Sequence, residues 1–151
     1  YYPTAWRTAA LVILALSLVG CGNTDSTQGL PGEGTWRVIN YWALWCTPCR
    51  TEIPELNRLN QLPDITVLGV NYDGKTGEVL AEHITEMAIA FTVLEEDPST
   101  TLNSGWPRVL PTTLLVDPEG RHQHSLVGPQ TRDDILAALA ELGRRAAVPE
   151  A

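Results

Sequence analysis

Two cysteines separated by two residues, in the run Trp45-Cys46-Thr47-Pro48-Cys49, are the side chains of this sequence best suited to do chemistry. A thiolate is both a strong nucleophile and a soft metal ligand, so such a pair can exchange disulfides or supply half of a tetrahedral metal site. Exchange needs one thiolate exposed enough to attack and a second thiol near enough to resolve the mixed disulfide. Cys46 is placed for the first task, and Cys49, about one helical turn on, for the second. A zinc ribbon needs a second cysteine pair, and the remaining cysteine, Cys21, stands alone. The histidines do not complete a set, because His83 falls on a helical pattern while His122 and His124 alternate along a hairpin. Redox chemistry is the stronger reading, and no metal ligands are assigned.

The elements that must position the pair can be read from periodicity. Arg37 to Leu44 is apolar on both faces, as a central strand buried on two sides should be. From Thr47 to about Gln61 the period becomes helical, with Ile53, Leu56 and Leu59 on one stripe and a kink expected at Pro54. Cys46 therefore lies where a strand runs into a helix. Unpaired N–H groups and the positive dipole end at a helix start stabilise a thiolate and lower its pKa from ~8.5. Pro48 fixes a backbone dihedral in the first turn, which makes the loop rigid, and Cys49 is expected to be the more buried thiol.

Downstream, Ile65 to Asn71 reads as a second buried strand. Thr76 to Ala90 reads as a helix with Leu80, Ile84, Met87 and Ala88 on one stripe, and Phe91 to Leu94 as a third strand. Asp97-Pro98 has the composition of an N-cap opening a short helix. Thr112 to Asp117 and His122 to Val127 flank a type I turn composition, Asp117-Pro118-Glu119-Gly120, and make a hairpin. Thr131 and Asp134 have capping-box spacing ahead of Ile135, Leu136, Leu139 and Leu142. This order predicts an α/β fold: a central mixed sheet, mostly parallel with an antiparallel edge, flanked by helices on both faces. A chain of 151 residues is expected to form a single domain, here residues 35–148.

The N-terminal segment differs. Arg7 precedes the apolar run Leu11 to Gly20, which is a signal-peptide layout over residues 1–20 and well short of the ~20 residues a membrane-spanning helix needs. Leu18-Val19-Gly20-Cys21 resembles the lipobox of bacterial lipoproteins, which implies lipidation at Cys21; the alternative is an incidental cysteine beside an ordinary cleavage site. Residues 21–34 are rich in Gly, Ser, Thr and Pro and read as a flexible tether. The formal charge of −8, with Arg residues scattered rather than clustered, argues against nucleic acid as a partner.

The stretch INYWALWCTPCRTEIPEL is similar to the active-site region of the thioredoxin superfamily, in particular its TlpA-type membrane-anchored periplasmic reductases. Leu110-Pro111-Thr112-Thr113 followed by LLVDPEG resembles the cis-proline segment of that family, and the resemblance covers most of Thr35 to Leu142. It implies a cis bond before Pro111, with Pro111 packed against the cysteine pair and the backbone of Leu110 pairing with a substrate strand. The plainer alternative is a strand-initiating proline. Asn40 occupies the place of the buried acid found in thioredoxin itself. Glu52 matches the glutamate that TlpA-type members carry three residues after the second cysteine, where it takes up or relays a proton of Cys49; a solvated glutamate near a helix start is the competing reading. Trp42 and Trp45 match aromatic positions around the site, one in the core and one lining the substrate groove, together with Thr47 and Pro48. Trp36 and Trp106 are assigned to packing, and His122 and His124 to a solvated hairpin face.

What this implies is a protein-disulfide reductase, a thiol-disulfide interchange protein acting as a monomer. It is lipid-anchored in the periplasm, acts on disulfide-containing exported proteins and is recharged by a membrane electron donor. It needs no cofactor beyond its own dithiol. An oxidant of the same fold, a copper(I) metallochaperone and a non-catalytic scaffold lipoprotein stay as alternatives.

Overall fold

The computed structural model describes residues 29–147. Its elements are β1 (Trp36–Trp42), α1 (Thr47–Leu59), β2 (Ile65–Asn71), α2 (Gly77–Glu86), β3 (Thr92–Leu94), β4 (Thr112–Val116), β5 (His122–Val127) and α3 (Arg132–Ala147). The strands form one sheet in the order β3-β2-β1-β4-β5. β1 pairs parallel with β2, and β2 with β3, whereas β4 runs antiparallel to both β1 and β5. The mixed sheet with its antiparallel edge is the one the sequence pattern implies.

β1 is central because it is apolar in both directions. Val38 and Trp42 join one core cluster, Ile39 and Tyr41 the other, and all four are fully buried. Gly69 of β2 lies opposite Asn40 in register, and a Cβ there would stand 3.0 Å from the Trp42 indole nitrogen, so any larger residue requires the tryptophan to shift by a few tenths of an ångström.

The covering of the sheet differs from the expected helices on both faces. Ile53, Leu56 and Leu59 of α1, Leu80 of α2, and Ile135 and Leu139 of α3 all belong to the cluster containing Val38 and Trp42. The reason is topological. β1-α1-β2 and β2-α2-β3 step the same way across the sheet, and two right-handed crossovers in one direction put both helices on the same side. The other side, with Ile39, Tyr41, Leu68, Val70, Leu114 and Val116, is closed by Leu102, Leu94, Leu110 and Leu30, residues of strand ends and irregular segments.

The short helix expected after Asp97-Pro98 would have thickened that second side, but the chain makes only a run of turns there. Asp97 does cap it, its Oδ1 accepting the Ser99 N–H at 3.1 Å. The Leu102 N–H reaches the Pro98 carbonyl at 2.9 Å, and Asn103 at φ 50° then diverts the chain after one turn. Packing also begins earlier than Thr35: Leu30 joins the second cluster, and the Arg37 Nε donates to the Pro31 carbonyl at 3.0 Å.

α1 runs without interruption through Pro54, which faces solvent. α2 stops at Glu86, four residues short of the expected end at Ala90. Ala88 sits in the left-handed region at φ 53°, its N–H bonded to the Thr85 carbonyl, and the Ile89 N–H closes on Ile84 at 3.1 Å. That pairing is a Schellman cap, usually made by glycine. α3 opens on the expected capping box, Asp134 Oδ2 accepting the Thr131 N–H at 2.9 Å and Thr131 Oγ1 accepting the Asp134 N–H at 3.2 Å. Because a left-handed alanine costs about 1 kcal/mol or more, Ala88→Gly is expected to raise the unfolding free energy by about 0.5 kcal/mol in a urea titration. The same substitution inside a helix costs about 1 kcal/mol.

Candidate active site

The parallel strand β1 delivers the chain to its C-terminal edge at Trp42, and a four-residue turn, closed by the Cys46 N–H on the Ala43 carbonyl at 3.1 Å, turns it into α1. Cys46 is the N-cap of α1, with extended backbone angles, φ −82° and ψ 99°. Its Sγ accepts the backbone N–H of Cys49 at 3.2 Å, the position a serine or aspartate oxygen holds at an ordinary N-cap. Thr47 and Pro48 form the exposed crest between the cysteines. Cys46 and Cys49 are joined as a disulfide, Cα atoms 5.3 Å apart, with Cys46 3% exposed and Cys49 completely covered.

Leu110 packs against the cluster that contains both cysteines, and the Leu110-Pro111 peptide bond is cis. Tyr41 pairs with Thr112 across β1 and β4, so the next residue back, Pro111, reaches the level of Trp42 at the same edge of the sheet. The carbonyl of Pro111 accepts the Gly128 N–H at 2.9 Å, tying this edge to the loop that precedes α3. Tyr41, on the opposite face of β1, donates its hydroxyl to Asp97 Oδ1 at 2.5 Å and stacks edge-on against Trp106, centroids 5.7 Å apart. Burial, with Asp97 adding to it, pushes the Tyr41 pKa up, so it stays a neutral donor that holds the segment leading to Pro111. Trp106, assigned to packing, gives one face to Tyr41 and Tyr72 but keeps 46% of its surface exposed.

The two tryptophans nearest the cysteines divide as expected: Trp42 is fully buried and Trp45 is 65% exposed. The Trp45 indole N–H is shared between both carboxylate oxygens of Asp73 at 3.1 and 3.2 Å, a contact that fixes an otherwise free ring beside the disulfide. Arg50, the basic residue next to the pair, is spent elsewhere, on the Leu44 carbonyl and on Glu86, both at 2.9 Å.

Glu52 is not the solvated glutamate of the alternative reading. It is 1% exposed. Its Oε2 accepts the Asn40 amide N–H at 2.9 Å and its Oε1 the backbone N–H of Gln130 at 3.1 Å, while Asn40 also donates to Thr113 Oγ1 at 2.9 Å. Burial raises its pKa from 4.5 to about 7, against the opposing pull of Gln130, Asn40 and Thr113. A carboxyl with that affinity, one turn below Cys49 on the same helix face, is matched to exchanging a proton near neutral pH. Asn40, at the place of thioredoxin's buried acid, and Thr113, in the cis-proline segment, are not identified by sequence as partners of Glu52. Both are polar residues on inward-facing positions of strands otherwise built from apolar side chains, and that was the signal available.

Other candidates fall elsewhere. His122 is half-buried against Ser125 Oγ at 3.0 Å, and burial lowers its pKa; His124 is exposed. Among the described residues no group of three or more His, Cys, Asp or Glu side chains is placed to hold a metal ion. Cys21 lies outside the described residues. No helix of the described residues is long and apolar enough to cross a membrane.

The family model described as the AhpC/TSA family matches residues 19–125 of this chain. The chain belongs to the AhpC/TSA family. Within that family it is 36% identical over 111 residues to the thiol:disulfide interchange protein HelX of Rhodobacter capsulatus, covering 73% of this chain and 62% of the relative. It is 29% identical over 114 residues to the thiol-disulfide oxidoreductase ResA of Geobacillus thermodenitrificans, covering 74% and 64%. The chain thus spans less than two thirds of the length of these curated relatives. Among solved structures, a secreted thiol-disulfide isomerase from Corynebacterium glutamicum superposes with a TM-score of 0.59 at 28% identity, over 73% of this chain and 71% of that one. The AhpC/TSA chain therefore has a thioredoxin-like fold with the cysteine pair at the strand-to-helix junction.

The raised Glu52 pKa has a thermodynamic consequence. The folded protein holds this proton up to about pH 7 while an unfolded chain releases it near 4.5. Below 4.5 both states are protonated; between the two values the folded state binds more protons, so stability falls as pH rises, by about 3 kcal/mol in all. With the disulfide kept oxidised, so that the cysteines do not titrate, Glu52→Gln is expected to remove that loss. The measurement is the unfolding free energy at about pH 5 and about pH 8 in wild type and variant.

Proposed function

We propose that this chain is a protein-disulfide reductase of the bacterial cell envelope, using Cys46 as nucleophile and Cys49 as resolving thiol. The observation that carries the reading is the Cys46–Cys49 disulfide at the N-cap of α1, directly above a buried glutamate that titrates near neutral pH. The names of the relatives, thiol:disulfide interchange protein and thiol-disulfide oxidoreductase, support the same chemistry.

In the reduced protein the Cys49 N–H and the helix dipole stabilise Cys46 as a thiolate. Its sulfur attacks one sulfur of a substrate disulfide; an S–S bond forms to Cys46, the substrate's S–S bond breaks, and the released substrate thiolate takes a proton from solvent. Cys49 then gives its proton to Glu52 and attacks Cys46 Sγ. The second substrate sulfur leaves as a thiolate, and the Cys46–Cys49 disulfide is left behind. Two electrons have passed to the substrate. A dithiol carrier in the membrane restores the cysteines, with no cofactor taking part.

Trp45, Thr47, Pro48, Leu110 and Pro111 form the surface a substrate strand meets, with the Leu110 backbone at the cis bond free to pair with it. The surroundings of the pair support the reducing direction. Strong oxidants stabilise their reduced thiolate; here the neighbouring cation Arg50 is engaged with Leu44 and Glu86, and a buried carboxyl lies beneath Cys49. Signal-peptide composition over residues 1–20, the lipobox-like run ending at Cys21 and the tether that follows support a location outside the cytoplasm on a lipid anchor.

With dithiothreitol as electron source, the wild-type protein is expected to accelerate insulin reduction, Cys46→Ser to fall to the uncatalysed rate, and Cys49→Ser to accumulate a mixed disulfide visible on a non-reducing gel. Equal rates for wild type and Cys46→Ser would refute the enzyme reading and favour a scaffold. Equilibration against thiol buffers is expected to return a reduction potential nearer about −270 mV than about −120 mV.

A further inference from the structure

Asn40 is completely buried, and its amide is satisfied on one side only. Both Nδ2 hydrogens are used, one on Glu52 Oε2 and one on Thr113 Oγ1, each at 2.9 Å. Its Oδ1 is buried and has no hydrogen-bond partner. A buried acceptor left unpaired costs on the order of 1–3 kcal/mol, and packing alone does not require it here. An asparagine turned by 180° about its last side-chain bond occupies the same volume with donor and acceptor exchanged.

The two orientations suit the two protonation states of Glu52. Facing a carboxylate, the amide must present N–H, as it does here. Facing a carboxylic acid, it can present Oδ1, which accepts the Glu52 O–H and the Thr113 O–H together. One end of the amide is orphaned in either orientation, an oxygen here and an NH2 group after reversal, so the reversal occurs where the hydrogen bond gained from the Glu52 O–H exceeds the difference between those costs. Oε1 of Glu52 does not share in the exchange, because the Gln130 backbone N–H holds it as an acceptor.

We propose that Asn40 is a positioning residue whose side-chain amide reverses each time Glu52 gains or loses its proton, so that both states of Glu52 keep a hydrogen bond inside the core. It rests on the reading of Glu52 as the proton acceptor for Cys49. Asn40 touches neither sulfur; it acts through Glu52, and its consequence is that the proton can move during turnover without the buried site taking up water or opening.

The groups able to disturb this titration are few. On α1 they are Cys46, Cys49 and Glu55, the last accepting the Arg132 backbone N–H at 3.2 Å. At the start of α3 they are Arg132, paired with Asp133 at 3.4 Å, and Asp134, held by Thr131. The inward positions of β1, β2 and β4 and the loop over 128–131 bring no titratable side chain, and β5 brings His124, exposed and in register with Leu115. Keeping the disulfide closed silences both cysteines.

The test is NMR on the oxidised full chain across the Glu52 transition, with the Glu52 carboxyl carbon reporting its protonation. Cross-peaks from the Asn40 side-chain N–H protons to Thr113 are expected above the transition and lost below it. Glu52→Gln supplies an independent arm: Gln130 keeps an oxygen at the Oε1 position, so the new amide nitrogen faces Asn40 permanently, and the Asn40–Thr113 cross-peaks are expected to be absent at every pH. Cross-peaks that persist while Glu52 is demonstrably protonated, or that persist in Glu52→Gln, overturn the reversal. Because the oxidised protein performs no turnover in this experiment, its failure is distinguishable from failure of the reductase reading, which the insulin assay decides.

Discussion

A carboxyl group cut off from solvent constrains this end of the molecule more than any apolar contact does. Glu52 is 1% exposed, and an ionised carboxylate in such a place costs several kcal/mol unless hydrogen bonds replace the lost water. The replacements come from three separate parts of the chain: Asn40 on β1, the Thr113 hydroxyl on β4, which also accepts from Asn40, and the Gln130 amide in the loop before α3. Each must be held to within a few tenths of an ångström for the group to be tolerated. The demand for hydrogen bonds thus welds α1 to the sheet and to the α3 loop at the level of the disulfide. Apolar packing by Ile53, Leu56 and Leu59 presses α1 against the sheet but does not specify how far along its axis it sits.

The position of the cysteines follows from the same junction. In an open α/β sheet the chain leaves a parallel strand at its C-terminal edge and enters a helix whose first N–H groups point outward, so reactive groups collect there. Here the first of those groups is the cap itself, a sulfur in place of the usual oxygen. Because β4 runs antiparallel beside β1, its beginning rather than its end lies at this edge, and Pro111 arrives there from the opposite chain direction. Cysteine pair and cis-proline are 62 residues apart in numbering, from Cys49 to Pro111, and are neighbours only because β1 and β4 are.

The chemistry was legible in the sequence because it depends on local order: a two-faced apolar strand, then WCTPC, then a helical stripe. The hairpin around Asp117-Pro118-Glu119-Gly120 and the Thr131–Asp134 cap were legible for the same reason. What could not be read was anything set by direction or by distant partners. Apolar periodicity continues through Met87 and Ile89, so nothing in the pattern marks the left-handed turn at Ala88 that ends α2. Periodicity says that α1 and α2 each bury one stripe, not that both stripes meet the same face of the sheet. A glutamate in the first turns of a helix looks solvated until Asn40, 12 positions earlier, and Thr113, 73 positions beyond Asn40, are seen to converge on it.

Gathering the three helices of the described residues on one face leaves the two sides of the sheet with different duties. The helical side carries the sulfurs and the buried Glu52 carboxyl, and its three helices share one apolar cluster. The other side is closed by turns and strand ends, which bury less and depend on specific polar ties, the Tyr41–Asp97 bond and the Arg37–Pro31 bond among them. The segment from Asp97 starts on that side and ends at Leu110, which packs against both clusters, just before the cis-proline. The backbone at the cis bond thus meets both sides of the sheet, because Leu110 packs against each cluster, while the two sulfurs belong to the helical one. A disulfide exchange needs three sulfurs in line, and only two belong to this protein; with that pair held at the start of α1 and Leu110 packed against the same cluster, the third has to arrive over the exposed crest at Thr47 and Pro48.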